Sequence, residues 1–184
     1  AIRPVLEWVG MPARNGRGSL RVIGGALRGR RIDTLPGESI RPTGDRVREA
    51  LFDILGNQVH GVVFLDVYAG TGAIGIEALS RGARAVIFIE NDPAAVDLIR
   101  KNLAVAGAPS TRARVIARDQ AQAVALLARE AERFDVIYLD PPYAGAELER
   151  GLRLVGSSRL LSAGAIIMAE HDADALPPPC PPLS

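Results

Sequence analysis

The sequence has few of the residues on which much protein chemistry depends. It holds one cysteine and two histidines among 184 residues, and Cys180 lies in a proline-rich tail. No internal disulfide can form, and no Cys or His cluster has metal-ligand spacing, so neither thiol chemistry nor a metal site is expected. No apolar run approaches the roughly 18 residues that a membrane helix needs, and no signal-peptide run opens the chain. We expect a soluble, cytoplasmic protein without membrane contact.

Lysine is nearly absent as well, because arginine supplies 21 of the 22 basic residues. Residues 1–60 hold ten Arg and six acids, and six of those Arg lie between Arg14 and Arg31 without any acid. A segment of this kind, interleaved with glycine, suits close approach to phosphates. A GC-rich genome or an ordinary solvated surface would produce the same composition. Of these explanations, the run of arginines without acids favours a flexible basic arm over 1–19 that contacts nucleic acid.

The periodicity of apolar residues predicts one α/β domain that follows a small appendage. Residues 20–24 and 28–33 predict a hairpin, and a helix opens at Pro42-Thr43 and ends at Gly56, so the appendage spans 20–60. The main domain spans 61–176, and 177–184 form a proline-rich tail. The predicted strands of the main domain are 62–68, 85–90, 113–117, 135–140 and 164–170. Its predicted helices are 73–81, 93–106, 120–131 and 145–155.

This alternation predicts a Rossmann-like fold, with a mostly parallel sheet and helices on both faces. Ligands in such sheets bind at the carboxyl ends of the strands, near the point where the strand order reverses.

The first chemical signal lies at such a strand end. Gly70, Gly72 and Gly75 form G-x-G-x-x-G between a strand and a helix, and Glu90 ends the next strand. Glycines let the backbone turn tightly and approach a ligand, and the carboxylate can accept hydrogen bonds from ribose hydroxyls. The pattern predicts nucleoside binding, for which NAD would serve equally well.

Two further carboxylates narrow the choice of nucleoside. Asp66, four residues before Gly70, could hold the ammonium group of a methionine moiety, whereas it would repel a pyrophosphate. Asp119 follows the third strand and could accept from an adenine amino group, cap the next helix, or do both. S-adenosylmethionine is therefore favoured over NAD.

The most specific signal is Asp140-Pro141-Pro142-Tyr143, at the end of the fourth strand. Two prolines cannot continue a central strand, so they force a rigid turn into the ligand crevice. The Asp140 carboxylate and the Pro141 carbonyl could accept the two N–H groups of a base amine. These two hydrogen bonds would draw the amine nitrogen toward tetrahedral geometry. Tyr143 offers a face on which an extruded base can stack.

These motifs, in this order, resemble the class I amino-methyltransferases. The segments 20–31 (LRVIGGALRGRR), 41–55 (RPTGDRVREALFDIL), 65–82 (LDVYAGTGAIGIEALSRG) and 140–143 (DPPY) are similar to the bacterial RsmD-type family, which methylates guanine N2 in small-subunit ribosomal RNA. The resemblance covers roughly residues 19–176. It implies a monomer that acts on ribosomal RNA within an assembling small subunit.

The resemblance and the residues together define three predicted sets. The catalytic set is Asp140, Pro141, Pro142 and Tyr143. The cofactor set is Asp66, Tyr68, Gly70, Gly72, Glu90, Asn91 and Asp119. The RNA-binding set is Arg21, Arg28, Arg30, Arg31, Arg41 and Arg46.

The resemblance implies an antiparallel strand pair past the fifth strand, and we expect this pair to be missing here. We therefore expect 165–169 to form an exposed edge strand. Three other functions stay open: an adenine-N6 methyltransferase, an NAD-dependent oxidoreductase, and an RNA-binding module with an inactive nucleoside site. His60 and His171 lie outside the predicted strand ends, so no acid/base pair for hydride transfer is evident.

Overall fold

A computed structural model describes residues 5–11, 20–35, 42–142 and 146–172. The strands are β1 (Val5–Met11), β2 (Leu20–Arg21), β3 (Arg31–Ile32), β4 (Val63–Asp66), β5 (Ala85–Glu90), β6 (Ala113–Ala117), β7 (Phe134–Leu139) and β8 (Leu161–Asp172). The helices are α1 (Pro42–Leu55), α2 (Ala73–Ser80), α3 (Pro93–Ala106), α4 (Gln120–Arg129) and α5 (Ala146–Gly156), with short 3-10 helices at Gly56–Val59 and Ser110–Arg112. Within this described part, no helix is both long and apolar enough to cross a membrane.

The main sheet has six strands in the order β1-β8-β7-β4-β5-β6, and every neighbouring pair is parallel. The chain moves from β4 toward β6 on one side and returns to β7 and β8 on the other. The strand order therefore reverses between β4 and β7, whose carboxyl ends form the crevice where ligands bind in this architecture. The Rossmann-like α/β prediction is confirmed.

Each face of the sheet carries its own core, because side chains alternate along every strand. One core joins Phe64, Phe88 and Tyr138 to apolar residues of α1, α2 and α3. The opposite core joins Leu65 and Ile137 to residues of α4 and α5. The strands are apolar on both faces, as expected of a parallel sheet covered by helices on both sides.

Local sequence signals set the ends of α3. The Asp92 side chain accepts a hydrogen bond from the Ala94 N–H at 3.0 Å, and Pro93 occupies the first turn, where a missing N–H costs nothing. Gly107 ends the helix with φ 72°, a left-handed conformation that glycine adopts without strain. The predicted bounds 93–106 are confirmed.

The N-terminal segment departs from the expectation of a flexible arm. Residues 5–11 form β1, which pairs parallel to β8 from Val5–Ile166 to Met11–Asp172. The expectation of an exposed edge at 165–169 is therefore wrong. An unpaired strand edge presents free N–H and C=O groups, and this short apolar segment satisfies them. Residues 12–19 and the tail 177–184 lie outside the described residues.

The predicted hairpin is present but shorter, since only β2 and β3 pair. Its turn packs on α2, where Glu77 is completely buried and accepts the N–H groups of Ile23 and Gly24, both at 2.7 Å. A Cβ on Gly25 would lie 2.0 Å from the Ser80 carbonyl oxygen, so this glycine permits close docking. Gly24 and Gly25 thus serve the packing of the hairpin, whereas the composition suggested close approach to phosphates.

The buried carboxylate of Glu77 is balanced by two arginines. Arg81 pairs with it at 2.8 Å, and the buried Arg48 lies at 3.7 Å and also donates to the Arg21 carbonyl at 2.6 Å. Arg81 in turn lies over the Phe52 ring, 4.9 Å from its centroid. Since removing one partner of a buried ion pair is strongly destabilising, this network fixes the appendage to the main domain.

Candidate active site

The glycine loop lies between β4 and α2, as predicted. Gly70 and Gly72 adopt positive φ angles of 52° and 76°, which side chains other than glycine rarely accept. A Cβ on Gly75 would lie 2.1 Å from the Phe88 ring, so this glycine lets α2 pack closely on the sheet. A Cβ on Gly70 would meet no described atom within 4 Å. The loop backbone at Gly70 is therefore open to a ligand.

Asp66 ends β4 beneath this loop and is 1% exposed. Among the described residues, neither of its carboxylate oxygens has a hydrogen-bond partner of standard geometry. Burial raises the pKa of Asp66 to about 7, and the nearby Glu90 adds to this rise, while the backbone N–H groups of Gly75 and Tyr68 oppose it. A buried carboxylate without a partner is costly. Its position fits a cationic ligand group such as an ammonium.

Glu90 ends β5 and is tied to the backbone around it. Its Oε2 accepts the Gly70 N–H at 2.8 Å, and its Oε1 accepts the N–H groups of Asn91 at 2.8 Å and Asp92 at 3.0 Å. A carboxylate offers about four acceptor positions, so one remains at Oε2. Glu90 can therefore take one ribose hydroxyl as it stands. A contact to both hydroxyls requires one of the Oε1 bonds to open.

The remaining predicted cofactor residues lie around the same crevice. Asp119 caps α4, since its Oδ1 accepts the Gln122 N–H at 3.1 Å, and this bond leaves its Oδ2 uncommitted to the cap. Its predicted capping role is confirmed, and its role toward adenine stays a prediction. Tyr68 is partly buried, and burial is the first cause that raises its pKa. A Cβ on Gly151 of α5 would lie 3.0 Å from the Tyr68 hydroxyl, so the glycine at this position leaves room for the tyrosine side chain.

Asp140 follows β7, which pairs with β4, the strand that leads into the glycine loop. Asp140 is exposed to solvent, and its carboxyl group is also partly desolvated by the protein around it. This desolvation, followed by the charges of Glu170 and Asp66, raises the pKa of Asp140 to about 8. Pro141 is buried and Pro142 is exposed, as expected for a turn that leaves the sheet. Tyr143 lies outside the described residues.

Glu170 is a member of the site that the sequence analysis missed. The register of β7 and β8 places Leu139 beside Ala169, so Asp140 and Glu170 follow side by side at the carboxyl ends. The two carboxyl groups lie within hydrogen-bonding reach of each other. The buried Tyr138 hydroxyl donates to Glu170 Oε2 at 2.8 Å. Glu170 carries no motif of its own, and only the strand register, which sequence spacing does not give, could have identified it.

The predicted RNA-binding arginines differ in whether their side chains already interact with other residues of the protein. Arg28, Arg30 and Arg46 are exposed. Arg31 pairs with Asp33 at 2.8 Å, and Arg21 donates to the Gly29 carbonyl at 2.9 Å, so both are partly engaged within the protein. Arg41 lies outside the described residues.

The hairpin and the glycine loop are joined by a residue that the sequence analysis also missed. Asn102 on α3 is completely buried. Its Nδ2 donates to the carbonyls of Asp33 and Thr71, both at 2.9 Å, and its Oδ1 accepts the Asp33 N–H at 2.8 Å. A polar residue on the buried face of a predicted helix was the available signal. The structure thus couples the basic appendage to the ligand loop.

The arrangement has the donors and acceptors for two adjacent ligands. Asp66, the open Gly70 backbone and Glu90 can hold a nucleoside that carries a cationic tail. Asp140 and the Pro141 backbone follow the neighbouring strand β7, where a second, amine-bearing ring can be held. In the described residues, no group of three His, Cys, Asp or Glu is placed to bind a metal ion.

Comparison with known proteins gives consistent matches over most of the chain. The sequence profile of the family described as Conserved hypothetical protein 95 matches residues 20–182. The ribosomal RNA small subunit methyltransferase D of Haemophilus influenzae is 37% identical over 160 residues, which cover 87% of this chain and 82% of that protein. The protein of the same name from Escherichia coli K12 is 36% identical over 163 residues, covering 89% and 80%.

A solved structure has the same fold. The hypothetical protein TTHA0928 of Thermus thermophilus superposes with a TM-score of 0.76 at 33% identity, and the match covers 86% of this chain and 90% of that one. The fold of this chain is therefore shared with that relative.

Proposed function

The chain belongs to the Conserved hypothetical protein 95 family, and on that premise we propose that it transfers a methyl group from S-adenosylmethionine to the exocyclic N2 amine of a guanine in small-subunit ribosomal RNA. At the coarser level the chain is an S-adenosylmethionine-dependent methyltransferase of ribosomal RNA. The observation that carries the finer proposal is that Asp66 and Asp140 lie at the carboxyl ends of the neighbouring strands β4 and β7, close enough for their charges to interact.

The residues of the crevice fit this cofactor. Asp66 supplies a buried carboxylate, whose oxygens have no hydrogen bond of standard geometry among the described residues, for the ammonium of the methionine moiety. Glu90 retains one acceptor position for the ribose, and Asp119 Oδ2 is available to the adenine amino group. When bound, S-adenosylmethionine supplies a methyl group on a positively charged sulfur, which keeps the electron pair of the broken S–C bond and leaves as a neutral thioether.

The chemistry left to the protein is to hold the base amine. Its lone pair is delocalised into the purine ring, so the free amine is a poor nucleophile. We assign acceptor roles to the Asp140 carboxyl and the Pro141 carbonyl, which together take both N2–H bonds and orient the lone pair toward the methyl group. Once the N–C bond has formed, N2 is positively charged and acidic, and the proton that it loses passes to solvent. Tyr143 completes the pocket in this proposal by stacking on the base.

Adenine N6 is the second candidate, because an acidic residue followed by Pro-Pro can hold either amine. Product analysis separates the two. Small-subunit RNA from cells that lack this enzyme, both naked and within assembling subunits, is incubated with methyl-labelled S-adenosylmethionine, and the labelled nucleosides are identified by mass spectrometry. We expect N2-methylguanosine at one position. N6-methyladenosine would overturn the guanine assignment, and no transfer to either RNA substrate would overturn the methyltransferase activity.

A further inference from the structure

Glu170 occupies a place in the crevice that the proposed mechanism does not use. It lies one position beyond Ala169 on β8, next to Asp140 across the parallel register. Its side chain is partly exposed, so it contacts both the protein and the crevice. Tyr138 holds Oε2 through its hydroxyl at 2.8 Å. This bond leaves Oε1 uncommitted to Tyr138, and the same carboxyl group lies within hydrogen-bonding reach of Asp140.

Two hydrogen-bond donors of guanine lie on one edge. N1 and the N2 amine are both bonded to C2, so the N1–H and an N2–H point in nearly the same direction. Adenine differs at the corresponding ring position, because its N1 is an acceptor. When the N2 amine is held at Asp140, the adjacent ring nitrogen N1 lies next to it. On the β8 side of Asp140, the residue that N1 would meet is Glu170.

We propose that Glu170 is a specificity-determining residue that accepts the N1–H of the target guanine and rejects bases whose N1 is an acceptor. This inference rests on the proposed transfer to guanine N2 and adds the group that distinguishes guanine from other amine-bearing purines. A polar site built to accept a hydrogen bond discriminates strongly against an analogue that lacks the donor, because a buried acceptor then loses its partner.

Tyr138 acts in this scheme as a positioning residue. It is 3% exposed and lies on the same sheet face as Asp66, within the core below the crevice. Its hydroxyl holds one oxygen of Glu170 and so limits the orientations that the carboxyl group can take. Burial, followed by the charge of the nearby Glu170, raises the pKa of Asp140 to about 8, which is consistent with the two carboxyl groups lying close together.

A base analogue tests the assignment directly. An RNA substrate carries either guanine or 2-aminopurine at the methylated position; 2-aminopurine keeps the N2 amine but presents N1 as an acceptor. The wild-type enzyme should prefer guanine in kcat/KM by at least about tenfold, as expected for a hydrogen bond to a charged group. Glu170→Gln should lower the guanine rate and narrow or invert this preference, because the glutamine amide can donate to N1 of 2-aminopurine.

Two further variants separate recognition from folding. Tyr138→Phe keeps the ring in the core but removes the hydroxyl, so it should narrow the same preference to a smaller extent. Glu132→Gln makes the same charge change ahead of β7, at the opposite end of the sheet, and should leave the preference unchanged. An unaltered ratio in Glu170→Gln, with S-adenosylmethionine affinity intact, would overturn the inference. Failure of the wild type to methylate guanine at all would instead overturn the proposed function on which it rests.

Discussion

Asn102 holds Thr71 of the glycine loop and Asp33 of the basic appendage through a single buried side-chain amide. The loop at the cofactor site and the segment expected to meet RNA therefore share one support. Asp33, Thr71 and Asn102 are far apart in the sequence. They meet only because α3, which carries Asn102, packs against both segments.

Asn102→Ala should reduce stability by about 2 to 4 kcal/mol, since it leaves three backbone groups without their buried partners. It should also weaken S-adenosylmethionine binding, because the Thr71 carbonyl loses its support beside the loop. Urea unfolding and calorimetric titration measure the two effects. Asn57→Ala, at an exposed position after α1, is the matched control and should change neither quantity. Full stability of Asn102→Ala would refute the coupling.

The raised pKa of Asp66 predicts how cofactor affinity depends on pH. Binding of an ammonium group requires the carboxylate, which forms as pH rises through about 7. Affinity for S-adenosylmethionine should therefore fall by up to about tenfold per unit below pH 7, with proton release on binding. Titration calorimetry in buffers of different ionisation enthalpy measures both. Asp66→Asn should bind weakly at every pH, and a retained pH dependence in that variant would place the titrating group elsewhere.

The same shift predicts that the protein without ligand is less stable at higher pH. The Asp66 carboxyl has an ordinary pKa of 3.8 when unfolded and about 7 when folded, so the folded chain binds more protons in that interval. The free energy of unfolding should fall as pH rises from about 4 to 7, by at most about 1.4 kcal/mol per unit for this group. Asp140 acts in the same direction up to about pH 8. Asp66→Asn should flatten the dependence, and a stability that rises over this interval would contradict the assignment.

The exposed arginines of the hairpin give a prediction on RNA binding. Arg28→Gln combined with Arg30→Gln should weaken RNA binding and reduce the slope of log affinity against log salt by up to about two phosphate contacts. Arg31, already paired with Asp33, should contribute less. Filter binding at several salt concentrations measures the slope. Arg133→Gln, exposed ahead of β7, should leave it unchanged. An unaltered slope in the double variant would remove the hairpin from the RNA interface.

The pairing of β1 with β8 predicts that the N-terminal segment stabilises the sheet. Deletion of residues 1–11 should lower the melting temperature and increase light scattering, because β8 would become an exposed apolar edge. Leu6→Pro and Glu7→Pro offer a finer test. Successive N–H groups of a strand point to opposite sides, so only one of these two residues donates its N–H to β8. One variant should destabilise more than the other. Equal behaviour of the truncated and full chains would contradict this role.

The sequence predicts the main domain well because its strands and helices are short, strongly patterned and closed by local signals, such as Asp92 and Gly107 around α3. The carboxyl-end positions of Asp66, Glu90 and Asp140 follow from the same patterns. Glu77, Asn102 and Glu170 could not be placed in this way, since their roles depend on contacts with residues distant in the chain. The strand β1 was missed because a short apolar segment has no local feature that distinguishes a covering strand from a free arm.

The most direct test of the account is single-turnover methyl transfer by Asp140→Ala, measured with labelled S-adenosylmethionine and small-subunit RNA. The account predicts loss of transfer with cofactor affinity within a few-fold of the wild type, because the acceptor for the base amine is removed while Asp66 and Glu90 remain in place. Melting temperature and RNA binding serve as controls for folding. Near-normal turnover by Asp140→Ala would contradict the account.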